Sequence, residues 1–285
     1  MAAAQFDLIA IGTGAAASAA AYKCRIAGWR VAVVDSRPFG GTCQLRGCDP
    51  KKVLVGTGVL IDAIRRMSGK GIKGDGAHIH WPELMRFKRT FTDPAPRRTE
   101  DGFRKAGMDT FHGAASFAGP SSIRVGADLL EAKHVLIATG AKPQRLNIPG
   151  EEHFTTSDQF LELDSLPRRV IFIGGGYISF ECAHLSARAG SQVTVLHRGE
   201  RPLEAFDCDL VQRLLQKTRE LGIHVELRAQ ATAIEGRANQ LVVTASTPQG
   251  PRRFEADMVV HGSGRVADLD ELNLGAPGYS STASS

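Results

Sequence analysis

The stretch FDLIAIGTGAAASAAAYKCRIAGWRVAVVD, residues 6–35, reads in order as strand, glycine turn, helix, strand and carboxylate. Phe6 to Ile11 is a short apolar run that stops at Gly12-Thr13-Gly14, and an alanine-rich segment of helical composition follows. Val31 to Val34 is a second apolar run, closed by Asp35. Each small residue has a physical purpose at that spacing. Gly12 permits a tight turn, Gly14 lets the backbone approach a pyrophosphate, and Ala17 lets the helix lie close against the strand. A diphosphate then sits at the helix N-terminus, and Asp35, about twenty residues on, accepts bonds from a ribose. Strand context on both sides separates this from a glycine-rich turn in an ordinary α/β unit.

The same pattern returns at RRVIFIGGGYISFECAHLSARAGSQVTVLHR, residues 168–198. Val170 to Ile173 is the strand, Gly174, Gly176 and Ser179 take the turn positions, and Val193 to Leu196 is the next strand. Two such loops predict two dinucleotides. The strand ends differ: Asp35 in the first unit is replaced by His197 and Arg198 in the second. An acid there binds a free ribose 2′-hydroxyl, whereas arginine suits the added phosphate of NADPH, so NADPH is expected here. Between the loops, HVLIATGAKP (134–143) is an apolar run ending on Thr139-Gly140, as a strand that stops at a ligand does. Residues 146–167 carry prolines and acids without strong periodicity and read as a crossover between domains.

Composition bounds the rest. The chain has 285 residues, 42% hydrophobic and 23% charged, which suits about two folded domains. The net charge of +5 comes from scattered pairs such as Arg65–Arg66 and Arg97–Arg98 without interleaved aromatics, so no nucleic-acid partner is expected. No apolar run reaches the roughly 18 residues of a bilayer span, and no basic flank marks a leader. A cytoplasmic protein without a membrane partner is expected. Five cysteines in such a chain do not suggest a disulfide scaffold.

Two of those cysteines stand out in GGTCQLRGCDPKK, residues 40–52. A metal clamp, a structural disulfide and a redox centre are the alternatives. Zinc needs four ligands, and Cys24, Cys182 and Cys208 are scattered, while His78 and His80 lack a partnered spacing. On a regular helix the Cα atoms of Cys43 and Cys48 would lie roughly 8 to 9 Å apart, beyond the limit of about 7 Å for a bridge. Bridging therefore demands a distorted helix, for which Gly47 and Pro50 provide the means. Lys51 and Lys52 favour thiolate over thiol, whereas Asp49 opposes them. Cys24 and Cys182 read as small apolar residues on helix faces and Cys208 as an ordinary thiol.

GGTCQLRGCDPKK, the loop GTGAAA, the segment GGGYISFE and the strand end HVLIATGAKP together resemble the flavoprotein disulfide reductases, the family of glutathione reductase, dihydrolipoamide dehydrogenase and mercuric reductase. The resemblance implies an α/β fold of two Rossmann-like domains, one for FAD over 1–145 and one for NADPH over 146–267, followed by a tail, 268–285. The second half of the FAD domain and the interface domain, with its dimer contact and histidine-glutamate pair, are expected to be absent. A Cys43–Cys48 disulfide is implied, with Cys48 nearer the flavin and Cys43 as interchange thiol. Lys51 matches the family lysine near the flavin, Glu181 its carboxylate partner, and Tyr177 the ring over the nicotinamide pocket. Gly12, Gly14, Ala17, Asp35, Gly41, Thr42, Thr139 and Gly140 are expected at FAD. Gly174, Gly176, Ile178, His197, Arg198 and Gly264 are expected at NADPH, with Arg265 completing the glycine-arginine segment. The implied acceptor is a small-molecule disulfide or another electron acceptor. Full-length relatives are homodimers, an expectation not carried over to this chain. A non-catalytic dinucleotide-binding fragment is the rival reading, and a short thioredoxin reductase architecture ranks below both, because it places a Cys-x2-Cys in the NADPH unit.

Overall fold

A computed structural model describes residues 4–74, 76–237 and 240–278. The elements follow as β1 (Ala4–Ile11), α1 (Ala15–Ile26), β2 (Val31–Asp35), α2 (Gly41–Arg46), α3 (Cys48–Met67), α4 (Trp81–Thr92) and α5 (Ala95–Lys105). Four strands come next, β3 (Asp109–His112), β4 (Ala115–Phe117), β5 (Ser122–Val125) and β6 (Asp128–Ile137), then the short β7 (Ala141–Pro143). The second half holds α6 (Ser157–Phe160), β8 (Arg169–Ile173), α7 (Tyr177–Arg188), β9 (Gln192–His197), α8 (Cys208–Glu220) and β10 (His224–Leu227). It closes with β11 (Gln230–Arg237), β12 (Gln240–Thr247), β13 (Gly250–Ala256), β14 (Met258–His261) and β15 (Arg265–Ala267).

The chain divides into two compact units that interleave along the sequence: 1–50, 90–142 and 266–285 form one, 51–89 and 143–265 the other. In the first, six strands run in the order β3-β2-β1-β6-β5-β4. β1 is parallel to β2 and β6, and β5 turns antiparallel on β6. Because β1 is covered on both faces, its residues read as a continuous apolar run rather than an alternating one. Ile9 and Ile11 face one core with Ile123 and Leu130; Leu8 and Ala10 face another with Ala17, Ala21 and Phe103.

The second unit centres on a four-stranded parallel sheet, β10-β9-β8-β14, beside a three-stranded antiparallel sheet, β11-β12-β13. Its main core joins Phe172, Val193 and Val195 to Phe180 and Leu185 of α7, and to Leu54, Ile61, Trp81 and Met85 from α3 and α4. That core accounts for a departure from the linear division expected after residue 145. The apolar face of 51–89 finds its partners among residues of 143–265, so those residues group with the second unit. Polar contacts reinforce the grouping: Trp81 Nε1 donates to Leu163 O at 2.8 Å, and buried Lys88 meets Glu162 at 2.7 Å.

Two local details also differ from the sequence reading. The crossover expected at 146–167 contains α6, started by a capping box in which Thr156 and Gln159 satisfy each other's backbone N–H. The tail expected over 268–285 is described to Gly278 and includes a 3-10 turn at Asp270–Leu272, whose Leu272 joins the first unit's core. Residues 279–285 lie outside the described residues.

Candidate functional site

In the first unit a cleft of about 370 Å³ opens at the C-terminal ends of β1 and β2. It gathers Gly12, Gly14, Asp35, Gly41, Thr42, Cys43, Cys48, Thr139 and Gly140. Ala17 is not on its wall. It is fully buried under the sheet, so its contribution is the close helix-strand contact alone. Asp35 does more than await a ribose. Its Oδ2 accepts from both Thr13 N (2.9 Å) and Thr13 Oγ1 (2.6 Å), and its Oδ1 accepts from Arg37 N (3.0 Å), which braces the glycine turn from below.

The cysteine pair owes its placement to a break in the helix. α2 ends at Arg46, Gly47 adopts φ −150° and ψ −110°, and α3 restarts at Cys48. A Cβ on Gly47 would stand 2.9 Å from Thr42 O, so this turn needs glycine. Pro50 falls in the first turn of α3, and without an N–H it cannot donate to Arg46 O, the bond that would have carried α2 through into α3. Cys43 is half-buried and Cys48 exposed, and both line the same cleft. Arg37, Arg46, Asp268 and Glu271 also line this cleft and were not foreseen. Asp268 pairs with Arg37 at 3.2 Å and with Lys142 at 3.7 Å, across 231 residues in the first case, so no local signal announced it. A hydrogen bond to Asp270 holds the Lys142 ammonium above its usual range.

A second cleft, of about 530 Å³, lies at the ends of β8 and β9 in the second unit. Gly174, Gly176, Tyr177, His197, Arg198 and Gly264 line it; Ile178 does not. Arg265 lies near Asp158 at 4.0 Å rather than on the cleft. Lys51 and Glu181 meet in this unit, Nζ to Oε2 at 2.6 Å, and Lys51 Nζ lies 5.6 Å from the Tyr177 ring centre. Next to Glu181 on α7, burial pushes the Cys182 thiol up to about 12, and two residues on it pushes the His184 imidazole down to about 4. Cys182 is thereby an inert core residue. Among the described residues, no three His, Cys, Asp or Glu side chains group as a metal site, and no helix is long and apolar enough to cross a membrane.

Both clefts fit a dinucleotide by the same device. Gly12 has φ +112°, and a Cβ there would stand 2.2 Å from Ala138 O; Gly174 has φ +112°, and its Cβ would stand 2.4 Å from Gly262 O. In each unit the loop after the first strand is pressed against the chain leaving a neighbouring strand, and only the absence of a side chain leaves bare backbone facing the cleft. Such a cradle accepts a diphosphate.

Two parallel-sheet units with paired glycine cradles, one of them sharing its cleft with two cysteines, define a protein of the two-dinucleotide, dithiol class. The chain belongs to the pyridine nucleotide-disulphide oxidoreductase family, whose pattern it matches over residues 6–278. It is 32% identical to a glutathione reductase of Burkholderia cepacia over 273 residues, 94% of this chain and 59% of the relative. It is 32% identical to a mercuric reductase of Lysinibacillus sphaericus over 279 residues, 96% of this chain and 50% of the relative. In structure it is similar to the HOCl-induced flavoprotein disulfide reductase RclA of Escherichia coli as a Cu(II) complex, with TM-score 0.85 and 25% identity, covering 97% of this chain and 60% of that one. The chain thus spans about half to three fifths of the relatives it matches.

Proposed function

We propose that this protein is a cytoplasmic flavin-dependent reductase, drawing electrons from NADPH and delivering them through the Cys43–Cys48 pair to a small disulfide or another acceptor. The observation that carries the reading is the first unit's cleft, where a diphosphate cradle, Asp35 and both cysteines share one wall. FAD, held there by Gly12, Gly14, Gly41 and Thr42, would supply two-electron redox chemistry beside the cysteine pair.

The chain's own residues have the remaining tasks. Gly12, Gly14, Gly41 and Thr42 hold the flavin nucleotide's diphosphate against bare backbone, and Asp35 orients that loop through Thr13. Gly174 and Gly176 do the same for the nicotinamide nucleotide, with Tyr177 at the mouth and Arg198 toward a 2′-phosphate. The two-electron reduced pair presents Cys43 as the attacking thiolate. It displaces one sulfur of an acceptor disulfide, and that leaving thiolate takes a proton. Cys48 then attacks the mixed disulfide, which restores the Cys43–Cys48 bond and releases the second thiol. Lys51 and Glu181 keep each other's charge compensated where both are partly withdrawn from water.

The test begins with colour: the purified protein should carry bound flavin, bleached by NADPH. A turnover screen over disulfides, metal ions and quinones should then lose its dithiol-dependent activity in both Cys43→Ser and Cys48→Ser. Protein that binds nicotinamide nucleotide but takes up no flavin would instead be a non-catalytic binding fragment, and full activity in both serine variants would end the dithiol mechanism.

A further inference from the structure

The two units solve the end of their second strand differently. In the first, the carboxylate stands on the strand's last residue, Asp35. In the second, β9 ends at His197, followed by Arg198, and no acid occupies the equivalent place. A carboxylate returns there from elsewhere. Glu204 Oε1 lies 3.6 Å from His197 Nε2, over Gly199, where an added Cβ would stand 2.7 Å from that same oxygen.

The segment that brings Glu204 back is tightly held. Leu203 N donates to Gly175 O at 2.9 Å, which ties the segment to the glycine loop itself. His197 Nε2 donates to Arg201 O at 2.9 Å, and the Arg201 guanidinium donates to Glu204 O at 2.8 Å and to Phe206 O at 3.1 Å. Leu203 sits at φ +53°, a conformation a branched side chain adopts only when its surroundings impose it. The loop is therefore shaped to present Glu204 on the cleft wall.

Charge along this wall is divided. Arg145, which also lines the cleft, pairs with Glu151; beside the cleft, Arg201 is committed to backbone carbonyls and Arg228 pairs with Glu200 at 2.8 Å. Arg198 remains as the arginine suited to a phosphate, on the same wall as the Glu204 carboxylate. An arginine and a carboxylate make opposite demands on a ribose. The first rewards a 2′-phosphate; the second accepts a hydroxyl proton and repels a phosphate.

We propose that Glu204 is a specificity determinant of the second cleft: its carboxylate receives the ribose hydroxyl of NADH and opposes the 2′-phosphate of NADPH, so the protein binds both nucleotides. This rests on reading the cleft as a nicotinamide-nucleotide site and names what that site discriminates. Calorimetric titration of the purified chain with NADPH and with NADH tests it without reference to flavin or turnover. Glu204→Gln should raise the ratio of NADPH to NADH affinity by about tenfold, tightening the first and weakening the second. Arg198→Gln should move the ratio the other way. An unchanged ratio in Glu204→Gln, with Arg198→Gln still lowering it, overturns the role of Glu204 and leaves the cleft's assignment standing. Failure of the wild-type chain to bind either nucleotide overturns the assignment and this inference together. Glu204 is largely exposed, and a melting curve matching the wild type will confirm that Glu204→Gln folds.

Discussion

Lys51 Nζ stands 2.6 Å from Glu181 Oε2, joining the first turns of α3 to the first turns of α7, with the Tyr177 ring 5.6 Å from the same ammonium. The two side chains keep 31% and 37% of their exposure, so water still screens them. A pair of that kind contributes at most about 1 kcal/mol to stability. The role proposed for the pair in turnover is therefore separable from folding. Lys51→Ala and Glu181→Ala should shift the urea midpoint only slightly and lower turnover by about a hundredfold. Equal losses in stability and turnover would assign the pair to folding.

The cradle glycines make a sharper test. Gly12→Ala and Gly174→Ala each force a Cβ to within 2.2 or 2.4 Å of a backbone carbonyl oxygen at a positive φ. Backbone cannot yield as a side-chain tip can, so each change should cost about 3 kcal/mol or more and abolish nucleotide binding in its own unit. Gly28→Ala is the control: φ is +88°, but nothing lies within 4 Å, so only the backbone penalty of about 1 kcal/mol remains. Thermal melting and titration with each nucleotide separate the three.

What could be read from the sequence was what local spacing determines. The strand, glycine turn, helix and strand of residues 6–35 and 168–198 lie within about thirty residues each, and their order alone specifies a dinucleotide loop. The break between Cys43 and Cys48 was also readable, through Gly47 and Pro50. Contacts between distant residues were not. Nothing near Arg37 announces Asp268, and nothing near Leu54 or Trp81 says that their apolar face joins Phe172 and Phe180. Glu204 is hidden for a different reason: no acid ends β9 as Asp35 ends β2, and a latched loop brings one back seven residues later. The capping box at Thr156 and Gln159 was a local signal, passed over because prolines on either side marked the stretch as crossover.

Acid should loosen the second unit through His184. Its Nε2 donates to Thr218 Oγ1 at 2.8 Å, since that hydroxyl spends its own proton on Leu214 O at 2.7 Å. Burial, then the nearby Arg188 guanidinium, pushes the imidazole from about 6.5 down to about 4. A folded pKa below the unfolded one means that the unfolded chain binds more protons between those values. Stability is therefore complete above pH 6.5 and falls as pH drops toward 4, by about 2 kcal/mol after allowance for partial exposure. Burial lowers His261 as well, adding slope of the same sign. Urea unfolding measured from pH 7.5 to 4 should show a shallower slope in His184→Gln, which keeps a donor for Thr218 but cannot titrate.

Phe160 tests how the 51–89 segment is held in the second unit. Its ring is fully buried, 6.0 Å from Trp81 of α4 and 5.9 Å from Phe172 of β8, edge-to-face with both. It therefore joins the inserted helices to the parallel sheet. Phe160→Ala opens a cavity and removes two ring contacts, a loss of about 4 kcal/mol, whereas Phe160→Leu refills most of the space and should cost about 1.5 kcal/mol. Because Lys51 enters the second unit on the helix anchored by this core, loosening it should also free the ammonium from Glu181. Turnover in Phe160→Ala should then fall further than in Phe160→Leu at a temperature where both remain folded, with flavin content unchanged. Equal turnover in the two variants would show that Lys51 is held by its ion pair alone.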